Sequence, residues 1–203
     1  MTSEKDTYKT ITRASEEILF KDRGSKFYGY AFPVTSEEEI KHFFEPLKKQ
    51  HHAARHWCYA WQLGKQYEAY RYNDDGEPSN SAGAPIYGQL QSFDVTNVLV
   101  VVVRYFGGTK LGIGGLIQAY KAAAQGALEA STIVERTIDM ELLLKFNYPE
   151  MNKVMRIIKD EKLKIIDQKM ELDCELKLAV RKKDLERIFR IFDTTYKLTV
   201  KKL

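Results

Sequence analysis

Cysteine is nearly missing from this chain of 203 residues: Cys58 and Cys174 are the only two, and they lie far apart. One pair is too few for the disulfide framework of a small secreted domain or for a cysteine-based zinc site. Long apolar runs are missing as well. No stretch approaches the roughly 18 residues that a membrane span needs. The first seventeen residues mix Lys, Asp, Glu and Arg without an apolar core, which is not the pattern of a secretory leader. There is no low-complexity tract and no internal repeat. These absences point to a cytoplasmic, globular protein with no membrane partner. Apolar residues make up 44% of the chain and charged residues 30%, an ordinary balance for a soluble fold with a buried core.

Charge of one sign is also lacking in the first two thirds. Residues 1–137 hold sixteen basic and sixteen acidic side chains, whereas residues 138–203 hold sixteen basic against twelve acidic ones. The net charge of +4 therefore sits in the C-terminal third. A modest positive excess suits RNA or an acidic partner, and equally a solvated helix surface.

The pattern predicts two domains that meet near residue 136. In residues 1–136, two strand-like stretches, 15–21 and 26–34, flank the turn-forming Asp22-Arg23-Gly24-Ser25. Ser36 and Glu39 then form a capping box. Ile40, Phe43, Phe44 and Leu47 follow as one apolar helical stripe, which Pro46 should kink or end. Strands are expected over 56–63 and 66–73, followed by a polar loop over 74–85. The run Val98–Val103 reads as a strand buried on both faces. A helix with small residues at Ala119, Ala122, Ala123 and Ala127 runs from about 116 to 130. In residues 137–203 the order is strand, helix, strand, strand, helix, strand, the ferredoxin-like βαββαβ signature. Cys174 alternates with leucines there and belongs to the core. The fold class expected is α+β.

Three segments carry candidate chemistry. After the valine strand come Arg104, Tyr105 and Phe106, then five glycines in nine residues: Gly107, Gly108, Gly112, Gly114 and Gly115. Glycines permit positive φ and close backbone approach, and the following helix aims its free N–H groups at the loop. With Arg104 and Lys110 this would be an anion site. It is not a Walker loop, because Ile113 and Gly114 stand where Lys and Ser/Thr belong, and Ile117 breaks the dinucleotide pattern. A tight strand-to-helix connection is the competing reading. Second, Asp74, Asp75 and Glu77 flank Gly76. Such a cluster could hold Mg²⁺ or act as acid and base, whereas a hydrogen-bonded turn is the commoner outcome. Third, His52 and His56 are four apart. However, the stretch from His56 alternates as a strand, with His56, Cys58 and Ala60 on one face. A packed Cys58 beside a hydrogen-bonded His56 is the favoured reading.

Together these segments resemble the IMPACT/YigZ family. The matching residues are Ala54-Arg55-His56 with Cys58 and Ala60, Asp74-Asp75-Gly76-Glu77-Pro78 through Ala82-Gly83 and Pro85, and Val103 to Gly108 through Leu111-Gly112, Gly114-Gly115 and Ala119-Tyr120. Lys26-Phe27 after the first turn also fits. The resemblance implies a first domain, 1–136, like the second domain of ribosomal protein S5, a two-layer α/β unit. It implies a second domain, 137–203, like the C-terminal domain of elongation factor G. Family members often carry Lys where this chain has Ala84. Eukaryotic relatives act in translational stress control and carry an extra domain that this chain does not match.

The expected function is accordingly a translation-related regulator that binds the ribosome, RNA or a translation factor, with no cofactor. The expected surface comprises Lys26, Arg55, His56, the 74–77 loop and the glycine segment. The alternative is an enzyme on a phosphate-bearing ligand, or a hydrolase, with Asp75 or Glu77 as base or Mg²⁺ ligand and the amides of Gly114 and Gly115 holding phosphate.

Overall fold

The computed structural model describes residues 5–203; residues 1–4, the start of the charged N-terminal stretch, lie outside the described residues. The chain divides into two compact units, one of residues 8–136 and one of residues 137–203 joined by residues 5–7. The early segment belongs to the second unit because the Ile138 amide donates to the Asp6 carbonyl at 2.8 Å and Arg181 pairs with the Asp6 carboxylate at 2.6 Å. The fold class is α+β.

The first unit is built on a five-stranded antiparallel sheet of β2 (Ile18–Asp22), β3 (Ser25–Pro33), β4 (His56–Leu63), β5 (Ala69–Asn73) and β6 (Val98–Tyr105), in the order β2-β3-β6-β4-β5. The valine strand, β6, takes the centre, and its residues from Val98 to Val103 are all fully buried. Arg23 and Gly24 both have positive φ, so the β2–β3 hairpin closes on the two-residue turn that the sequence announces.

Alternation sorts the side chains onto two faces. Phe27, Ala31, Cys58, Ala60, Val98, Val100 and Val102 form one core with α2 (Gly83–Ser92) and α3 (Gly112–Glu129). Tyr30, Trp61, Leu99, Val101 and Val103 form another with α1 (Glu37–Gln50). The two-layer unit of sheet and α2–α3 thus gains a helix on the opposite face.

Several local outcomes differ from the pattern reading. Helix α1 passes through Pro46 and ends at Gln50, because Leu47, one residue beyond the proline, is buried with Ile40. Helix α2 starts inside the stretch read as loop. Its cap is not local: the Asp74 carboxylate accepts from the amides of Ala82 at 2.9 Å and Gly83 at 2.8 Å. Helix α3 begins at Gly112, so three of the loop glycines are helical. Strands β1 (Thr7–Ile11) and β7 (Ile133–Thr137) pair in a separate two-stranded sheet. Their partners are some 120 residues apart, so no short-range signal marks them.

In the second unit, β8 (Asp139–Asn147), α4 (Met151–Asp160), β9 (Lys164–Lys169), β10 (Asp173–Arg181), α5 (Leu185–Asp193) and β11 (Leu198–Lys202) follow in the expected order. The sheet order is β11-β8-β10-β9, all antiparallel. Leu142, Leu144, Leu176, Leu178 and Cys174 meet Val154, Ile158, Ile188 and Phe192 in its core. No helix among the described residues is long and apolar enough to cross a membrane.

The sheet and α3 approach closely at Gly29, where an added Cβ would lie 2.4 Å from the Ala123 carbonyl oxygen. Gly29→Ala is expected to lower unfolding stability by about 1–3 kcal/mol through overpacking. Urea denaturation measures this, and an unchanged midpoint would show that α3 yields to the methyl group.

Candidate functional site

The C-terminal end of β6 delivers a charge to the α2–α3 side of the sheet. Arg104 is only 6% exposed. Its Cα partners are Phe27 on β3 and His56 on β4, so the three form one row across the sheet. A buried guanidinium demands a counter-charge. Glu77 supplies it, with Nη1 to Oε1 at 2.6 Å and both side chains buried. The same carboxylate oxygen accepts from the Tyr120 hydroxyl of α3 at 2.7 Å. Tyr120 in turn lies 3.3 Å from the Cys58 sulfur, which donates to the Asp74 carbonyl at 3.0 Å. The guanidinium carbon sits 5.5 Å from the centre of Phe27 and 5.6 Å from that of Phe106, while its Nε–H meets no acceptor.

The 74–77 loop is thereby tied to the sheet. Asp75 and Gly76 both have positive φ, and the Glu77 amide donates to the Asp74 carbonyl at 2.9 Å, which closes a tight turn. Asp75 accepts from the Trp57 amide at 2.7 Å, and its carbonyl lies 2.9 Å from His56 Nδ1. The three carboxylates therefore face three different tasks: Asp74 caps α2, Asp75 holds β4, and Glu77 neutralises Arg104. Among the described residues no group of three His, Cys, Asp or Glu side chains gathers to hold a metal. One oxygen of each of the two residues considered for Mg²⁺ or general-base work is engaged in the fold: Asp75 Oδ2 by the Trp57 amide, and Glu77 Oε1 by Arg104 and Tyr120. Cys58 is fully buried, and loss of water around it pushes its thiol well above the ordinary range. Burial raises the Tyr120 phenol too, ahead of the influence of Cys58 and Glu77. Both stay protonated, as donors, so Cys58 packs and hydrogen-bonds.

The glycine segment meets this network from the outside. Gly107 touches the β2–β3 turn: its amide donates to Ser25 Oγ at 3.1 Å, and a Cβ there would collide with Gly24. Gly108 and Gly112 have positive φ. At Gly114 neither reason applies, because φ is ordinary and an added Cβ would meet nothing within 4 Å. The first turn of α3 has no acidic residue and no side-chain cap, its residues Gly112, Ile113 and Gly114 are exposed, and Phe106 and Lys110 are exposed beside it.

The acidic turn, Arg104, His56 and the glycine segment thus share one end of the sheet. Arg104 itself is spent internally, which corrects its assignment as a free anion ligand. Two further assignments change. Lys26 and Tyr105 are Cα partners on the opposite face from Phe27 and Arg104, because successive strand residues alternate. Arg55 is exposed and just precedes β4.

On that opposite face lies a polar cluster that no sequence motif marks. His51, at the end of α1, is 5% exposed, with Nε2 2.5 Å from the Tyr30 hydroxyl and Nδ1 3.1 Å from the Tyr105 hydroxyl. Tyr30 also bonds Glu17, and Gln50 donates to Glu17 at 3.1 Å. Its members come from four separate segments, so only a buried histidine beside aromatic strands could have signalled it.

Residues 23–128 match the Impact N-terminal domain family. This chain belongs to that family. It is 31% identical to the IMPACT family member YvyE of Bacillus subtilis over 178 residues, covering 88% of this chain and 82% of YvyE. It is also 31% identical to YigZ of Escherichia coli over 84% of each chain. A solved structure of a hypothetical protein aligns over 97% of both chains at a TM-score of 0.70 and 26% identity.

Two outcomes follow from the buried groups. Glu77→Ala strands a buried arginine and is expected to cost about 3–5 kcal/mol of stability, whereas a Glu77→Leu, Arg104→Met double variant should lose far less. Equal losses in chemical denaturation would contradict the pairing. Burial lowers the pKa of His51, opposed by the nearby Glu17. The folded state therefore binds its proton less readily than the unfolded state, and stability should be complete above about pH 6.5 and fall as the pH drops below it. His51→Asn should flatten that loss in urea titrations run from pH 8 to pH 5; an unaltered pH profile would remove His51 as its source.

Proposed function

We propose that the protein is a cytoplasmic regulator of translation that binds the ribosome, RNA or a translation factor through the exposed start of α3 and the glycine segment before it. Family membership supports the translation context. The observation that carries the reading is Gly114. Glycine in a helix costs about 1 kcal/mol relative to alanine, and neither backbone strain nor a neighbouring atom requires it here. A residue without a side chain at this place lets a partner reach the amides of the first turn. Those amides and the helix dipole favour phosphate or carboxylate, and Lys110 adds positive charge at the rim. The ion pair beneath, Arg104–Glu77, fixes the end of β6 from which this loop departs. The basic excess of residues 138–203 would add non-specific attraction to RNA.

Ribosome co-sedimentation at low and moderate salt tests the proposal. The wild-type protein should enter ribosomal fractions at low salt and leave them as salt rises. Gly114→Ala should raise thermal stability, by up to about 1 kcal/mol, yet weaken association. Lys110→Glu should weaken it as well. Absence from every ribosomal fraction, or a Gly114→Ala protein that co-sediments like wild type, would overturn the assignment of this surface.

A further inference from the structure

A cavity of about 360 Å³ lies in the first unit, at the end of the sheet opposite the glycine segment. Val34, Gly64 and Asn97 line it, next to the strand ends where Pro33 and Gln62 pair with Val98. The strands β1 and β7 add Tyr8, Thr10 and Arg136. Hydrogen bonds fix the frame. The Val34 amide donates to the Asn97 carbonyl at 3.0 Å, the Gly64 amide to Asn97 Oδ1 at 2.8 Å, and the Thr96 hydroxyl to the Gly64 carbonyl at 2.7 Å. Gly64 and Asn97 both hold positive φ there. The cavity is therefore preformed, and its size falls at the lower end of the range for small-molecule sites.

Its charge is one-sided. Lys65 and Arg136 line it, and no acidic residue does. Neither cation has an ion pair among the described residues. Glu39 and Glu68 touch lining residues without lining the cavity themselves: Glu39 accepts from the Thr35 amide and hydroxyl, and Glu68 from the Gln66 amide. Along β1 the wall offers hydroxyls. Tyr8 and Thr10 are only 6% and 4% exposed. Their hydroxyls have no hydrogen-bond partner among the described residues, yet neither oxygen is sealed from water. A buried hydroxyl without a partner costs stability, so two of them opening on one cavity ask for a ligand. Asn97 adds a donor, because Oδ1 accepts from Gly64 and leaves the Nδ2 end to donate.

Two cations beside unpaired donors disfavour a metal ion and favour an anion. A carboxylate brings one negative charge. A phosphomonoester brings close to two at neutral pH, with three strong acceptor oxygens, and so matches both cations and the surrounding donors. Ile11, Pro33 and Val34 make the rest of the wall apolar, which suits an organic group attached to the phosphate.

We propose that this cavity binds a small phosphomonoester, with Lys65, Arg136 and the Thr10 hydroxyl taking its phosphate. The site is separate from the surface proposed for translation, and either can fail without the other.

Calorimetric titration of the full-length protein with phenyl phosphate, at constant ionic strength, tests this. Saturable binding is expected. Benzoate, with the same ring and a single charge, should bind about tenfold more weakly, and so should phenyl phosphate to Arg136→Gln, the effect of one lost charge-assisted hydrogen bond. Thr10→Val keeps the shape and removes the hydroxyl. It should weaken binding about fivefold while leaving the unfolding midpoint unchanged or raised, since the unliganded protein loses no hydrogen bond. No saturable heat at millimolar phenyl phosphate, benzoate bound as tightly, or an unaltered affinity in Arg136→Gln would each overturn the proposal. So would a larger loss in Lys110→Glu than in Arg136→Gln, which would move the ligand to the glycine segment.

Discussion

Arg104 stands next to last in the most buried strand of the molecule as a charge largely withdrawn from water, and much of the first unit is arranged around its neutralisation. A guanidinium in that position is tolerated only beside a counter-charge with good geometry. Glu77 meets it at 2.6 Å. Glu77 is not on a neighbouring strand; it comes from the turn that follows β5. The ion pair therefore draws that turn against the end of the central strand. From the same turn Asp74 caps α2 and Asp75 holds the Trp57 amide of β4. One buried pair thus organises a loop, the start of a helix and the junction of two strands. Tyr120 extends the network into α3 by bonding the same carboxylate oxygen.

That economy has a functional consequence. Residues that look reactive in the sequence are consumed in building the loop, and the chemistry left at the surface is backbone chemistry. The exposed first turn of α3 offers amides and a dipole, with Lys110 beside it and no side-chain cap among the described residues. Under the proposed function, such a surface would recognise an anionic group by shape and charge. The buried, protonated Cys58 fits the same picture, since a thiol held in its neutral form by burial is a packing group and a weak donor.

The two faces of the sheet divide the molecule's interactions. The α2–α3 face is sealed at its centre and presents its glycine segment at one end. The α1 face is aromatic along β4 and keeps a trough open between helix and strands. Alternation along single strands produces this division: Arg104 and Tyr105 are neighbours in the chain but belong to different networks, and so are Lys26 and Phe27. A buried histidine cluster at the end of α1 ties the second face together through Tyr30 and Tyr105.

The sequence by itself determined the elements whose signals are local. The Arg23-Gly24 turn, the valine strand, the apolar stripe of α1 and the βαββαβ order of the second unit all follow from periodicity and turn chemistry within a few residues. It also brought the right segments to attention, since the acidic turn, Arg104 and the glycine run do lie at one end of the sheet. Only the tertiary structure decided what those residues do. The cap of α2 comes from Asp74, eight and nine residues before the amides it holds, and β1 finds β7 across most of the chain, so neither has a short-range signature. The roles of Arg104 and Glu77 turn on burial, because the same two side chains in water would be free ligands. Pairing across a sheet and the removal of water are properties of the assembled fold, and they separate a catalytic-looking motif from a structural one.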